Sequence, residues 1–211
     1  YEFINANVVE TIVDNKINFS FEITDTEKVY VNKINIFGNN ITSEEFIRNN
    51  IIVDEGDPFN KILHNKSLNN LRSKGIFSKV SSKLIDTDDN SLKDIEILIE
   101  EKPTGEIMAG AGYGTDGTTF SVGIKENNFN GKGIVLESSL SLTEESIKGF
   151  VTYEHPNFRY SDRALATSLE FTDTDKLSNF GYKSSTNGIS LGTRYEQFAN
   201  TFFSPKLSIT N

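Results

Sequence analysis

The chain has no cysteine among its 211 residues. That excludes a disulfide framework, a thiolate metal site and a cysteine nucleophile, and it suits an oxidising compartment such as a periplasm. Basic residues are scarce: 21 stand against 30 acidic ones, a formal net charge of −9. A protein that neutralises nucleic-acid phosphates needs a basic footprint, so no nucleic-acid partner is expected. No apolar run approaches the roughly 18–20 residues of a membrane helix. That does not exclude a membrane protein, because transmembrane strands alternate apolar with polar residues and a barrel averages out polar. The mean hydropathy of −0.38 is compatible with either case. The two histidines, His64 and His155, are solitary and fall in different domains, the first read as a helix-surface residue and the second as a strand end.

Residues 1–26 begin with Val8–Thr11, turn at Asp14–Asn15, and continue with Ile17, Phe19, Phe21 and Ile23 alternating with polar residues. That is a β-hairpin with one buried face. The next strand is Val29–Phe37, where the step from Val31 to Ile34 breaks alternation and predicts a bulge. Gly38-Asn39-Asn40 turns the chain. Thr42 is then placed to cap a helix running to about Asn49, with Glu45 completing a capping box and Ile41 and Phe46 in the positions of a hydrophobic staple. Pro58 interrupts. A second helix is expected over Asn60–Lys74 with Leu63, Leu68 and Leu71 on one stripe, ended by Gly75 with Ile76 beyond it. A second hairpin follows, Phe77–Ile85 and Asp94–Glu101, whose last strand places Ile95, Ile97 and Ile99 on one face. The order is βααββ. A crossover through the helices lays the first and last strands side by side in parallel and leaves Phe77–Ile85 as an open edge.

The pattern of residues 1–24 returns in 75–101: an aromatic, a strand, an acidic turn, an alternating strand. The first residues therefore read as the tail of a preceding copy, and the chain, which starts at Tyr1 without an initiator methionine or signal peptide, as a piece of a tandem array. From Gly105 onward no helical period remains. Strand-like segments recur at about 105–114, 118–127, 133–143, 147–155, 163–172, 182–195 and 202–210. Most carry one apolar face, such as Phe120, Val122 and Ile124, or Leu165, Leu169 and Phe171. Segments of about ten residues with one apolar face fit a transmembrane barrel, and a soluble β-sandwich shows the same alternation.

In the first of these segments Ile107, Ala109, Ala111 and Tyr113 share one face, and Gly110, Gly112 and Gly114 the other. A strand with so little side-chain bulk is weakly pinned in its pairing. Its glycines lack the spacing and the lysine of a phosphate-cradling loop. The acidic clusters Asp86-Asp88-Asp89 and Asp173-Asp175 lack calcium-loop spacing and read as solvated turns. No pair of carboxylates is placed in a pocket, so no enzyme, metal or cofactor is expected.

The βααββ module ending in Glu101-Lys102-Pro103, then GEIMAGAGYGTDG, NNFNGKG (127–133) and EHPNF (154–158), resembles the BamA family of outer-membrane protein assembly factors. The resemblance covers essentially the whole chain. It implies a POTRA module of α+β class followed by antiparallel transmembrane strands: residues 1–27 as the C-terminal hairpin of one POTRA domain, 28–102 as a complete POTRA domain, and 103–211 as about seven N-terminal strands of an incomplete barrel that closes at sixteen. It further implies residence in the bacterial outer membrane with POTRA domains in the periplasm, and no cofactor. The implied partners are unfolded outer-membrane protein clients, accessory assembly lipoproteins and outer-membrane lipid. The expected seam, where a client strand pairs, is Glu106, Ile107, Met108, Ala109, Gly110, Ala111, Gly112 and Tyr113. The POTRA edge that hands over extended segments is Phe77, Ser78, Lys79, Val80, Ser81, Ser82, Lys83 and Leu84. Glu55 falls at the family's acidic position for an accessory-lipoprotein contact. A related exporter of one dedicated passenger, and a soluble β-rich binding module, are the other readings the sequence leaves open.

Overall fold

A computed structural model describes residues 4–13, 16–25, 28–114, 117–161, 163–199 and 201–211. The chain divides into two compact units, residues 1–38 with 50–100, and residues 39–49 with 101–211.

In the first unit, β1 (Ile4–Val13) and β2 (Lys16–Asp25) form the expected antiparallel hairpin, with Val8 opposite Phe21 and Ile12 opposite Ile17, but the apolar face expected to be buried is exposed at Ile17, Phe19 and Phe21. Its turn at Asp14–Asn15 lies outside the described residues. Along the chain the βααββ order runs β3 (Tyr30–Phe37), α1 (Glu44–Arg48), α2 (Lys61–Ser73), β4 (Phe77–Asp86) and β5 (Leu92–Glu101), with α1 falling in the second unit. The three-stranded sheet has the order β3-β5-β4 with β3 and β5 parallel, and the register slips between Val31 and Ile34 as the broken alternation predicts. Ile95, Ile97 and Ile99 are buried together with Val31, Ile34, Leu68 and Leu71, each such side chain worth about 1.5–3 kcal/mol against exposure. Asn60 caps α2 by accepting from the Ile62 and Leu63 N–H groups at 2.9 and 3.1 Å.

The inner face of α2 departs from expectation. Leu63 is 39% exposed, whereas His64 is only 6% exposed and Ser67 is fully buried. His64 is therefore not a helix-surface residue. Its Nε2 lies 2.7 Å from Ser82 Oγ on β4, and its ring sits 5.8 Å from that of Phe59. Ser67 Oγ donates to the Leu63 carbonyl and accepts from the Ile52 N–H, both at 2.9 Å. Buried polar groups are tolerated because each has a partner.

The second unit is an open eight-stranded sheet. Its strands are β6 (Gly105–Gly114), β7 (Gly117–Phe129), β8 (Ile134–Thr143), β9 (Ser146–His155), β10 (Ala164–Lys176), β11 (Tyr182–Phe198), β12 (Thr201–Phe203) and β13 (Lys206–Thr210). Neighbours in sequence pair antiparallel, except that β12 and β13 both pair with β11. The seventh segment, expected as one strand, is thus two, interrupted at Ser204-Pro205, where proline has no N–H to give to a ladder. A single helical turn, α3 (Leu177–Phe180), also stands where no helix was expected.

The registers run straight across the sheet. One row reads Ile107, Ile124, Ser138, Val151, Leu169, Ile189 and Ile209; the row one residue along reads Glu106, Lys125, Glu137, Thr152, Ser168 and Ser190. One face is therefore apolar and the other polar from β6 to β11. On the polar face, Lys125 Nζ lies 4.0 Å from Glu137 Oε2, and the Ser168 and Ser190 hydroxyls are 2.6 Å apart. On the apolar face, the Phe171 ring fills the space beside its register partner Gly149, where a Cβ would meet it at 2.3 Å.

The α1 segment belongs to this second unit. Its N-cap is Ser43, whose Oγ accepts from the Phe46 N–H at 3.3 Å, and not Thr42. The Thr42 side chain is buried and accepts a bond from Asn128 Nδ2 instead. The cap thus moves on by one residue, and the expected capping box is lost because Phe46 now stands three residues after it. Ile41, expected as half of a staple, is 71% exposed.

Candidate functional site

The strand that the sequence singles out, β6, is the last strand of its sheet and pairs on one side only, with β7. All ten of its residues are exposed. Ile107, Ala109, Ala111 and Tyr113 face Ile124, Val122, Phe120 and Thr118 across the ladder, which puts them on the apolar face. The opposite face is nearly bare beyond Met108: a Cβ on Gly112 or Gly114 would meet nothing within 4 Å, and one on Gly110 only Ser121 Oγ at 2.9 Å. The start of the strand is held better than its end, since Asn127 Nδ2 donates to Glu106 Oε1 at 3.0 Å. An unpaired edge with its N–H and C=O groups free is a template for another strand. Here few side chains compete with whatever pairs.

The second expected edge, β4, also lies at the margin of its three-stranded sheet, with β3 at the other margin. Phe77 and Val80 point into the core. The Val80 carbonyl already accepts from Arg72 Nε and Nη2, at 3.2 and 2.7 Å, and Ser78 Oγ donates to the Glu100 carbonyl at 3.0 Å. Ser82 is bonded to His64. Lys79, 3.5 Å from Glu100 Oε1, and the exposed Lys83 add charge of the kind that discourages unspecific edge pairing. The structure thus keeps β6 and β4 in different sheets, the first bare and the second partly occupied.

Glu55 is exposed, and its Oε1 accepts from the Ile34 N–H at 3.0 Å. That bond falls where the β3 register slips, between Val31 and Ile34. Nothing in the sequence signalled this structural task. Nor did it indicate that the NNFNGKG turn bonds to the segment before α1, which emerges only when Thr42, Ser43 and Asn128 are brought together.

Residues 29–102 match the POTRA family model, described as surface antigen variable number repeat. The outer membrane protein assembly factor BamA of Buchnera aphidicola subsp. Acyrthosiphon pisum (strain APS) is 30% identical over 190 residues, 85% of this chain and 31% of that protein. The crystal structure of BamA from Haemophilus ducreyi lacking POTRA domains 1–3 superposes with a TM-score of 0.79, covering 98% of this chain and 40% of that one at 23% identity. CdiB from Escherichia coli superposes with a TM-score of 0.62, covering 100% of this chain and 41% of that one at 13% identity. Both structural likenesses are of fold. The chain spans less than a third of the curated relatives it matches.

Proposed function

We propose, from the POTRA match over residues 29–102 and the likeness to BamA assembly factors, that the chain's parent protein assembles β-barrel proteins into the bacterial outer membrane. In this reading residues 28–102 stand in the periplasm as a POTRA domain, residues 1–27 end a preceding one, and residues 103–211 begin the barrel. The clients are unfolded outer-membrane proteins.

The observation that carries the reading is the side-chain-poor polar face of β6, where a Cβ on Gly112 or Gly114 would meet nothing within 4 Å. Lipid cannot satisfy free backbone groups, so this edge must be paired. Cross-strand side-chain pairs contribute roughly 0.2–1 kcal/mol each, and Gly110, Gly112 and Gly114 withhold them from the closing partner. A client strand can replace that partner by β-augmentation, through backbone bonds that tolerate many sequences. The one-sided apolar face supports lipid as the neighbour: Ile107, Leu169, Ile189 and Ile209 are all more than half exposed, and no second sheet covers them among the described residues of that unit, which a sandwich requires. The β4 edge receives extended periplasmic segments, and the exposed Glu55 contacts an accessory lipoprotein.

A second reading, export of one dedicated passenger, is compatible with the same fold, which CdiB shares. A photo-crosslinker at Ala111 of the full-length parent, in its own membrane, separates the two. Capture of many unrelated barrel precursors supports assembly, and capture of one secreted passenger supports export. Capture of the protein's own closing strand alone refutes a client-pairing seam.

A further inference from the structure

The Asn127–Gly133 turn is bonded on two sides at once, all within the second unit. On one side it holds the segment leading into α1. Asn128 Nδ2 donates to Thr42 Oγ1 at 2.9 Å, with both residues buried, and the Ser43 N–H donates to the Gly131 carbonyl at 2.8 Å. The other end of the Asn128 carboxamide accepts from the Gly133 N–H at 2.8 Å, so its orientation is fixed. Gly133 has φ +62°, and a Cβ there would lie 2.1 Å from the Phe46 ring, which occupies the space the missing side chain leaves. Glu101, the last residue of β5, completes the grip: its carboxylate accepts from the Asn40, Ile41 and Thr42 N–H groups at 3.0, 2.9 and 2.6 Å.

On its other side the same turn holds the entry to β6. The Asn127 N–H and Nδ2 both donate to the Thr104 carbonyl at 3.2 Å, and Nδ2 also reaches Glu106 Oε1. Glu126 Oε1 accepts from the Thr104 hydroxyl and, at 2.7 Å, from the Asn128 N–H. Adjacent residues thus bond in two directions, Asn128 to α1 and Asn127 to the first strand, with one carboxylate oxygen joining them. A dense run of short polar bonds around buried groups has few ways to yield at one end alone.

We propose that this turn is a coupler, so that displacing the α1 segment loosens the start of β6, and loosening β6 frees α1. Asn127, Asn128, Glu126 and Glu101 are its positioning residues. Its meaning for client entry rests on the function proposed above; the coupling itself does not, and can be read without any client. Linkage requires the effect to be reciprocal.

The test is amide hydrogen exchange in the full-length parent protein in lipid vesicles. Thr42→Val keeps the side-chain shape and removes the acceptor of the Asn128 bond. Asn127→Ala removes the side-chain bonds to the Thr104 carbonyl and Glu106 while keeping the backbone one. Loss of one net hydrogen bond corresponds to roughly tenfold faster opening. Each variant is expected to speed exchange by about that factor both at residues 40–43 and at residues 105–108, while amides of β10 and β11 keep their protection. If Thr42→Val affects only 40–43 and Asn127→Ala only 105–108, there are two independent ties and the proposal is overturned. Should Thr42→Val prove unstable, Glu101→Gln perturbs the same segment from the β5 side and is read the same way.

Discussion

Replacing Gly112 and Gly114 with threonine is expected to stiffen the first strand and slow client assembly. Both positions lie on the polar face of β6, and a Cβ added at either meets nothing within 4 Å, so the change adds side chains without a clash. Gly110 is left alone because its Cβ would press on Ser121 Oγ at 2.9 Å. A glycine inside a strand costs about 0.5–1 kcal/mol against alanine, and threonine adds strand preference on a scale spanning about 1 kcal/mol. Two substitutions therefore favour the paired strand by about 1.5–2 kcal/mol, which lowers the population of the open seam by roughly 10–30-fold. The assay reconstitutes the full-length parent in vesicles, adds a denatured barrel client and follows its conversion to the heat-resistant folded form on a gel. The initial rate is expected to fall by that factor. A rate within twofold of the unaltered protein, from a variant that itself folds, would refute the idea that the bare glycine face governs opening.

Ala111→Pro deletes a backbone N–H from β6 and is expected to cripple assembly; normal growth of cells relying on that variant contradicts a role for this ladder. His64→Ala removes the partner of Ser82 and leaves a void beside Phe59, so it is expected to destabilise the βααββ module by about 1–3 kcal/mol. A urea unfolding midpoint that does not move would show the buried imidazole to be dispensable. The Glu101 carboxyl is partly buried, which alone would raise its pKa, but hydrogen bonds from Thr42, Ile41 and Asn40 outweigh this and hold it below the ordinary 4.5. A depressed carboxyl stabilises the fold above its ordinary pKa and stops doing so as pH falls through the lowered value. Protection of amides 40–42 is therefore expected to persist at neutral pH and vanish in acid below about 4.5, whereas Glu101→Gln should show most of that loss at neutral pH; equal pH profiles for the two proteins would exclude the carboxylate as their anchor.

Period-two alternation identified β6 to β11 because the straight register keeps apolar residues on one face of each strand along its length. The βααββ order was readable for a related reason: Gly75 and the Val31–Ile34 irregularity mark boundaries that local chemistry alone dictates. What escaped depended on distant partners. Thr42 and Ser43 are equally competent caps, and only Asn128, 86 residues on, decides between them. His64 looked solvent-facing because its partner Ser82 sits on another element, and Leu63, the better apolar candidate, turns outward. The split of the seventh segment was visible in Pro205, which the alternation around it masked. The bareness of the β6 face was legible in its glycines; the occupied Val80 carbonyl on β4 was not, since nothing in Arg72 announces which acceptor it will find.

From β6 to β11 every pairing joins strands adjacent in the chain, and this order has a consequence for chain entropy. Adding each strand closes only a short turn, and closure cost grows with loop length as about (3/2)RT ln n, so the sheet can grow hairpin by hairpin at a small penalty for each step. In the closed barrel proposed for the parent protein, the ladder between the first strand and the last is different, because it closes a loop containing the whole barrel. That junction carries the largest closure penalty and, at β6, the least side-chain contact to offset it. Chain connectivity and glycine content therefore select the same place as the last ladder to form and the first to part.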